Sequence, residues 1–168
     1  MNLAHPKVMT LAQAVAARGV LRKARRKLVL TNGVFDLLHP GHTSYLAAAR
    51  QLGGRDGQLY VALNSDRSVR RLKGSLRPIL DQQSRAYNLA QLSAVDGVII
   101  FGRTRLDREI EALQPDIYCK AGDYTEATLD PTELAALYRV NARIEFLPFL
   151  RGFSTTALIE KIKAAGEI

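Results

Sequence analysis

Two of the chain's three histidines, His39 and His42, stand three positions apart around Pro40 and Gly41, just after the apolar run LVLTNGVF. Imidazoles at that spacing can share one face of a helix. Proline suits a first helical position, and glycine lets a ligand approach the backbone closely. A helix's first turn leaves N–H groups unpaired and carries partial positive charge. Two imidazoles, backbone donors and a helix dipole would converge on one anion and stabilise charge on a phosphoryl group in transfer. Half of a zinc site and a purely structural turn are the competing readings. Zinc needs a third ligand, and the spacing is not that of an H-E-x-x-H helix. The sequence contains no G-x-S-x-G elbow, Walker A motif or G-x-G-x-x-G fingerprint.

The elements that must position these residues follow from hydrophobic periodicity. Residues 10–26 read as a basic amphipathic helix, with Thr10 and Gln13 in a capping-box pattern and Leu11, Val15 and Leu21 at helical spacing. Its end, LRKARRK, reads first as a solvated helix end and second as a nucleic-acid or membrane patch. From residue 28 onward, short apolar runs alternate with helical segments. The runs are LVLTNGVF, LYVALN, GVIIFG, DIYCKA and RIEFLPF. The helices are HTSYLAAARQLG, DQQSRAYNLAQLSAV, LDREIEALQP, PTELAALYRV and STTALIEKIKAAG. That alternation predicts an α/β fold, a doubly wound parallel sheet of about five strands, with residues 1–27 preceding a domain of residues 28–168. GGRDGQ, KGSLRP and AGDYTEATLD are the expected mobile loops.

Ligands of such sheets bind beyond the carboxyl ends of the strands. Polar residues collect there. Asn32 and Gly33 end the first strand and lead to His39 and His42. Asn64 and Asp66 follow the second, Gly102 and Arg103 the third, and Lys120, Gly122 and Asp123 the fourth. The fifth leads to Arg151 and then Ser154, Thr155 and Thr156.

The bulk numbers fit this picture. A chain of 168 residues suits one core, and the net charge of +8 points to anionic partners. One cysteine, Cys119, allows no intrachain disulfide and no C-x-x-C zinc site, which fits a reducing compartment and a cytoplasmic location. The sequence has no apolar run of membrane-spanning length and no secretory-type start.

The run Gly33-Val34-Phe35-Asp36-Leu37-Leu38-His39-Pro40-Gly41-His42 resembles the G-x-F-D-x-x-H-x-G-H signature of the cytidylyltransferase-like nucleotidyltransferases, a Rossmann-like family. Arg151-Gly152-Phe153-Ser154-Thr155-Thr156 resembles the family's second motif, more than a hundred residues further on. Within the family the chain is most similar to the heptose 1-phosphate adenylyltransferases of ADP-heptose synthases. The supporting stretches are TNGVFDLLHPGHTSYL, VALNSD, RLKGSLRPI, KAGDY and FSTTALIEKI. KAGDY carries Ala121 where the family usually has glycine, and residues 125–145 match it poorly.

This resemblance implies that a sugar 1-phosphate oxygen attacks the α-phosphorus of ATP and pyrophosphate leaves, supplying ADP-heptose for lipopolysaccharide core synthesis. It implies catalytic roles for His39, His42 and Lys73, the last reaching in from a mobile loop. Nucleotide or phosphate contacts would come from Asn32, Gly33, Val34, Phe35, Gly41, Asn64, Asp66, Lys120, Gly122, Asp123, Arg151, Ser154, Thr155 and Thr156. Asp36, Arg77 and Arg85 would bind or orient substrate, although Arg85 could equally pair with Asp81. Mg²⁺ would ride on the triphosphate with no protein ligand of its own. A stand-alone form without a fused sugar kinase, and a homodimer, are also implied. Glycerol-3-phosphate cytidylyltransferase and FMN adenylyltransferase keep the fold and change the acceptor. A non-catalytic nucleic-acid-binding protein is the alternative of another class; with no aromatic stacking motif or nucleic-acid module, neither nucleic acid nor membrane is an expected partner.

Overall fold

The computed structural model describes residues 3–122, 124–148, 150 and 152–166; Asp123 and Arg151 lie outside the described residues. Strands β1 (Val8–Met9), β2 (Leu28–Gly33), β3 (Gln58–Asn64), β4 (Gly97–Phe101), β5 (Ile117–Ala121) and β6 (Arg143–Leu147) form one sheet in the order β1-β4-β3-β2-β5-β6. Every pairing is parallel. The five expected strands are present. The sixth, β1, is a two-residue edge that pairs Val8 with Val98 and Met9 with Ile99. Two residues are too few to show a period of two, so no pattern announced it.

The helices are α1 (Leu11–Lys23), α2 (Pro40–Leu52), α3 (Asp66–Lys73), α4 (Gln82–Ala90), α5 (Asp107–Leu113), α6 (Pro131–Arg139) and α7 (Thr155–Ala165). Thr10 caps α1 in the expected capping box. The buried stripe of α1 is Ala14, Arg18 and Leu21, whereas Val15 faces outward. Arg18 enters the stripe because its guanidinium pairs with Asp116 and donates to the Gln114 carbonyl at 3.0 Å. The basic end of α1 is mostly exposed, with Arg22 bonded to Gln114 and Arg26 to the Asp56 carbonyl.

Helix α3 was not expected, because Val69 and Leu72 are its only apolar residues and no stripe forms. Local chemistry builds it instead. The Ser65 hydroxyl accepts from Ser68 N–H, Asp66 stands in the first turn, and Arg70, Arg71 and Lys73 stand in the last.

Alternation along the strands divides the core. Leu28, Leu30, Tyr60 and Tyr118 pack with Ala14 and Leu21 of α1, Ile110 and Leu113 of α5, and Ala136 and Leu137 of α6. Val29, Leu59, Val61 and Cys119 pack on the other face with Tyr45, Leu46 and Ala49 of α2 and Ala86 and Leu89 of α4. Residues before position 28 thus add an edge strand and a helix to the same sheet and core. Strand order reverses at β2: the chain runs outward through β3 and β4, then returns to β5 on the other flank. That switch point opens a crevice between the β2 and β5 ends.

The turn from α2 into β3 is closed by glycines. A Cβ on Gly57 would collide with the Gly53 backbone. Gly57→Ala is therefore expected to lower stability by about 1–3 kcal/mol, measured by urea unfolding, because the obstacle is main chain and cannot swing away.

Candidate active site

A cleft of about 380 Å³ opens at the carboxyl ends of β2, β3 and β5. Asn32, Gly33, Val34, Phe35, Gly41 and His42 line it from the β2–α2 segment, and Asn64 from β3. Leu72 and Lys73 close it from α3, and Lys120, Ala121 and Tyr124 from beyond β5, with Tyr45 also in the wall. Among the described residues the lining contains two lysines and no carboxylate.

Helix α2 begins where the motif predicts: His39 is the N-cap and Pro40 the first residue. The His39 carbonyl accepts from His42 N–H at 2.8 Å and Thr43 N–H at 3.2 Å. Those two donors are therefore already engaged. Gly41 N–H is the one in this turn with no partner among the described residues, and Gly41 lines the cleft.

The two imidazoles stack, with ring centroids 3.8 Å apart and planes 20° apart. His39 is buried beneath, while His42 faces the cleft and touches the Phe35 ring at 5.3 Å. Both Nδ1 atoms are buried without a hydrogen-bond partner among the described residues. Burial lowers both pKa values. For His42 the fall is to about 4, through burial first and then the neighbouring His39; the Leu37 carbonyl, too poorly placed for a hydrogen bond, offsets part of it. Both rings are thus neutral near pH 7. Two imidazolium ions could not stack at this distance without strong repulsion.

Gly41 matters here. A Cβ would stand 3.0 Å from the His39 ring and 3.3 Å from the Phe153 Cβ. The Phe153 ring lies 6.5 Å from His39 at 20°, which sets the start of α7 beside the histidine turn. Ser154 caps α7 by accepting from Ala157 N–H at 3.0 Å. Ser154, Thr155 and Thr156 are therefore near the histidines but do not line the cleft, and nor does Gly122.

Behind the lining, the 34–36 segment is clamped. Asp36 is 1% exposed. Its carboxylate accepts from Ile79 N–H and Leu80 N–H, each at 2.9 Å, and pairs with Arg77 at 2.8 Å. Arg85 is fully buried and donates to the Val34 carbonyl and the Asp66 carboxylate, both at 2.7 Å, and to the Leu80 carbonyl at 3.0 Å. Asp36, Arg77, Arg85 and Asp66 thus orient the walls rather than form them. Arg85 pairs with Asp66, not with Asp81, because Asp81 is occupied capping α4. Phe35 between the clamps has φ +45°, a left-handed conformation costly for an aromatic residue.

Lys73 is the last residue of α3 rather than part of a loop, and it reaches the cleft beside Leu72. Lys120 stands across from it, half-buried over the Tyr118 and Tyr124 rings at 5.9 and 5.3 Å. Burial lowers its pKa, and Glu133 on α6 partly restores it. Asn64 donates to the Ser68 hydroxyl at 2.9 Å. Leu72, Tyr124, Phe153 and Tyr118 escaped the reading of the sequence. Tyr118 had a signal: it lies two residues before Lys120 on a strand, hence on the same face.

A doubly wound sheet with a cleft at its switch point, whose described lining carries two lysines, no carboxylate and the start of a helix bearing stacked histidines, suits an anionic ligand. The chain belongs to the cytidylyltransferase-like family, which it matches over residues 30–161. It is 44% identical over 163 residues to the bifunctional protein HldE of Helicobacter pylori strain J99, covering 97% of this chain and 33% of the relative. Identity is 45% over 160 residues with the protein of the same name from Koribacter versatilis, covering 95% and 32%. The chain thus spans about a third of the length of the curated relatives it matches. A solved lipopolysaccharide core biosynthesis protein from Thermoplasma volcanium superposes with TM-score 0.59 at 28% identity, over 74% of this chain and 97% of that one. Pantoate-beta-alanine ligase from Francisella tularensis, at 14% identity and TM-score 0.55 over 96% and 78%, shares the fold. Among the described residues no helix is long and apolar enough to cross a membrane, and no three His, Cys, Asp or Glu side chains group as metal ligands.

Two outcomes are expected. Arg85→Met leaves Asp66 and two carbonyls without their buried donor and should cost about 3 kcal/mol in urea unfolding. The histidines also link stability to pH. An unfolded imidazole titrates near 6.5, whereas folded His42 titrates near 4. Between those values the unfolded chain binds the extra proton, so stability falls as pH drops from 6.5 to 4. His42→Gln should remove roughly 1–3 kcal/mol of that dependence, read from unfolding curves at pH 7 and 4.5.

Proposed function

We propose that the chain is an adenylyltransferase that joins a sugar 1-phosphate, of the heptose 1-phosphate type, to the AMP moiety of ATP. A phosphate oxygen of the sugar attacks the α-phosphorus, the bond from that phosphorus to the β-phosphate bridge oxygen breaks, and pyrophosphate leaves. The observation that carries this reading is neutral His42, stacked on the buried His39, in a cleft that Lys73 and Lys120 also line and whose described residues include no carboxylate. A polyanion entering there meets no like charge among the described lining residues. Its own charge raises the depressed His42 pKa, so an imidazolium can form beside phosphate oxygens. The open Gly41 N–H supplies a further donor. Catalysis is then positioning and charge stabilisation, as phosphoryl transfer requires. Lys73 and Lys120 hold phosphates from opposite walls, and Phe153 packs the start of α7 against His39. Asp123 and Arg151 take the roles that the family resemblance implies.

Mg²⁺ fits this site only as part of the nucleotide, because the described lining offers no carboxylate. When bound it neutralises triphosphate charge. The sugar and the pathway, ADP-heptose for lipopolysaccharide core synthesis, rest on the heptose-type stretches of the sequence. The names of the HldE relatives and of the Thermoplasma structure support them. A homodimer and a cytoplasmic location are proposed with them.

Pyrophosphate release with Mg²⁺ tests the reading, with ATP, CTP and GTP each offered heptose 1-phosphate, glycerol 3-phosphate or FMN. The expected result is release from ATP with heptose 1-phosphate, reduced at least about a hundredfold in His42→Ala, the scale seen when a transition-state charge stabiliser is lost. Release with another pair overturns the substrate. No release with any pair overturns the activity.

A further inference from the structure

We propose that Tyr118 is a positioning residue that fixes the Asn32 amide with its oxygen turned away from the cleft, making Asn32 a hydrogen-bond donor to an acceptor oxygen of the substrate. This rests on the cleft being a substrate site, as proposed above, and assigns a role to a buried phenol outside the lining.

Tyr118 on β5 is 0% exposed, and its hydroxyl donates to Asn32 Oδ1 at 2.8 Å. It makes no other hydrogen bond among the described residues. That settles which way the amide faces. With the amide reversed, the phenolic oxygen would accept from Nδ2 and its own proton would be buried without an acceptor. Burial also keeps the phenol protonated, the form that can donate. Asn32 Nδ2 has no partner among the described residues, yet it is not among the buried atoms left unsatisfied. Since Asn32 lines the cleft, its two N–H donors are available there.

The arrangement follows from the sheet. Leu28, Leu30 and Asn32 point to the α1–α5–α6 face, as do Tyr118 and Lys120. On this flank an amide N–H₂ and an ammonium group both donate, and neither accepts. The complementary ligand group bears only acceptors: a phosphate oxygen or a sugar ring oxygen. Left free, Asn32 could turn its carbonyl toward that oxygen, and half of its orientations would repel the ligand.

A double-mutant cycle with Tyr118→Phe and Asn32→Ala tests this, reading kcat/KM and ATP affinity by calorimetry, with melting temperature alongside. Tyr118→Phe is expected to lower kcat/KM about five- to tenfold in the native background, the scale of one hydrogen bond. It should cause no further loss in Asn32→Ala, because its effect runs through that amide. A packing role would lower melting temperature equally in both backgrounds without this non-additivity. Equal losses of kcat/KM in the two backgrounds, or none in the native one, overturn the proposal. Should Tyr118→Phe not fold, Asn32→Asp carries the test. It keeps an acceptor for Tyr118 and turns a carboxylate oxygen toward the ligand, so activity should fall at least as far as in Asn32→Ala, and native-like activity overturns the proposal. If the native chain releases no pyrophosphate with any pair, the activity reading fails separately, and the cycle in ATP affinity still decides the role of Tyr118. If the native chain binds neither ATP nor heptose 1-phosphate, both fail.

Discussion

Asp36 is buried three residues before His39, and among the described residues its carboxylate is satisfied by groups from residues 77–80. A buried carboxylate without such donors would be too costly to keep charged. The chain segments that end β2 and begin α4 are therefore obliged to stay together. Arg85 repeats the constraint from the other side by holding Val34, Asp66 and Leu80 at once. Between these ties the backbone of Phe35 is held in a conformation it would not choose alone, and its ring supports His42. Lys73 and Leu72, at the end of a short helix with little core of its own, face the cleft because Asp66 at the other end is pinned. Remove the ties, and the wall bearing Lys73 has no fixed relation to the histidines.

The second constraint is electrostatic. Eight surplus positive charges on the chain attract anions from a distance, and screening limits that reach to about 10 Å in ordinary salt. At the cleft itself the chain does the opposite and keeps its imidazoles neutral. Permanent cations stacked at 3.8 Å would repel each other and loosen the turn before any ligand arrived. Neutral rings can pack, and an anion beside them would favour their protonation. The lysines supply the standing charge, Lys73 from α3 and Lys120 from β5.

Much of this was legible in the residues. Alternating apolar runs and helical segments are local patterns, so five strands, six helices and the rim at their carboxyl ends could be read directly. The HPGH turn was legible because proline, glycine and spacing each have one dominant use there. What escaped depends on distant partners. Helix α3 lacks an apolar stripe and is held by caps and by the Asp66–Arg85 pair, which only the fold brings together. Arg85 is picked out in the sequence only by the family resemblance, with Asp81 an equal candidate partner, until β2 supplies the Val34 carbonyl and α3 the Asp66 carboxylate. Tyr118 reads as a core residue of an apolar strand, and its hydroxyl acquires meaning only because β5 pairs beside β2.

That pairing also divides the cleft by face. On the α2 side of β2 stand the stacked histidines, Gly41 and the approach of α7, all drawn from the two family motifs. On the α6 side stand Asn32, Lys120 and Tyr124, backed by Tyr118 and Glu133. The stretch that matches the family least, residues 125–145, includes α6 on this second side, running from beyond β5 through α6 into β6. A ligand that spans a switch point touches both flanks, so chemistry and choice of ligand can be assigned to different flanks of one strand. Changes in α6 reach the cleft through Glu133, whose charge bears on Lys120, without disturbing the turn that carries the histidines. A ligand seated across β2 would thus meet groups that depend on α6 on one flank and the histidine turn on the other.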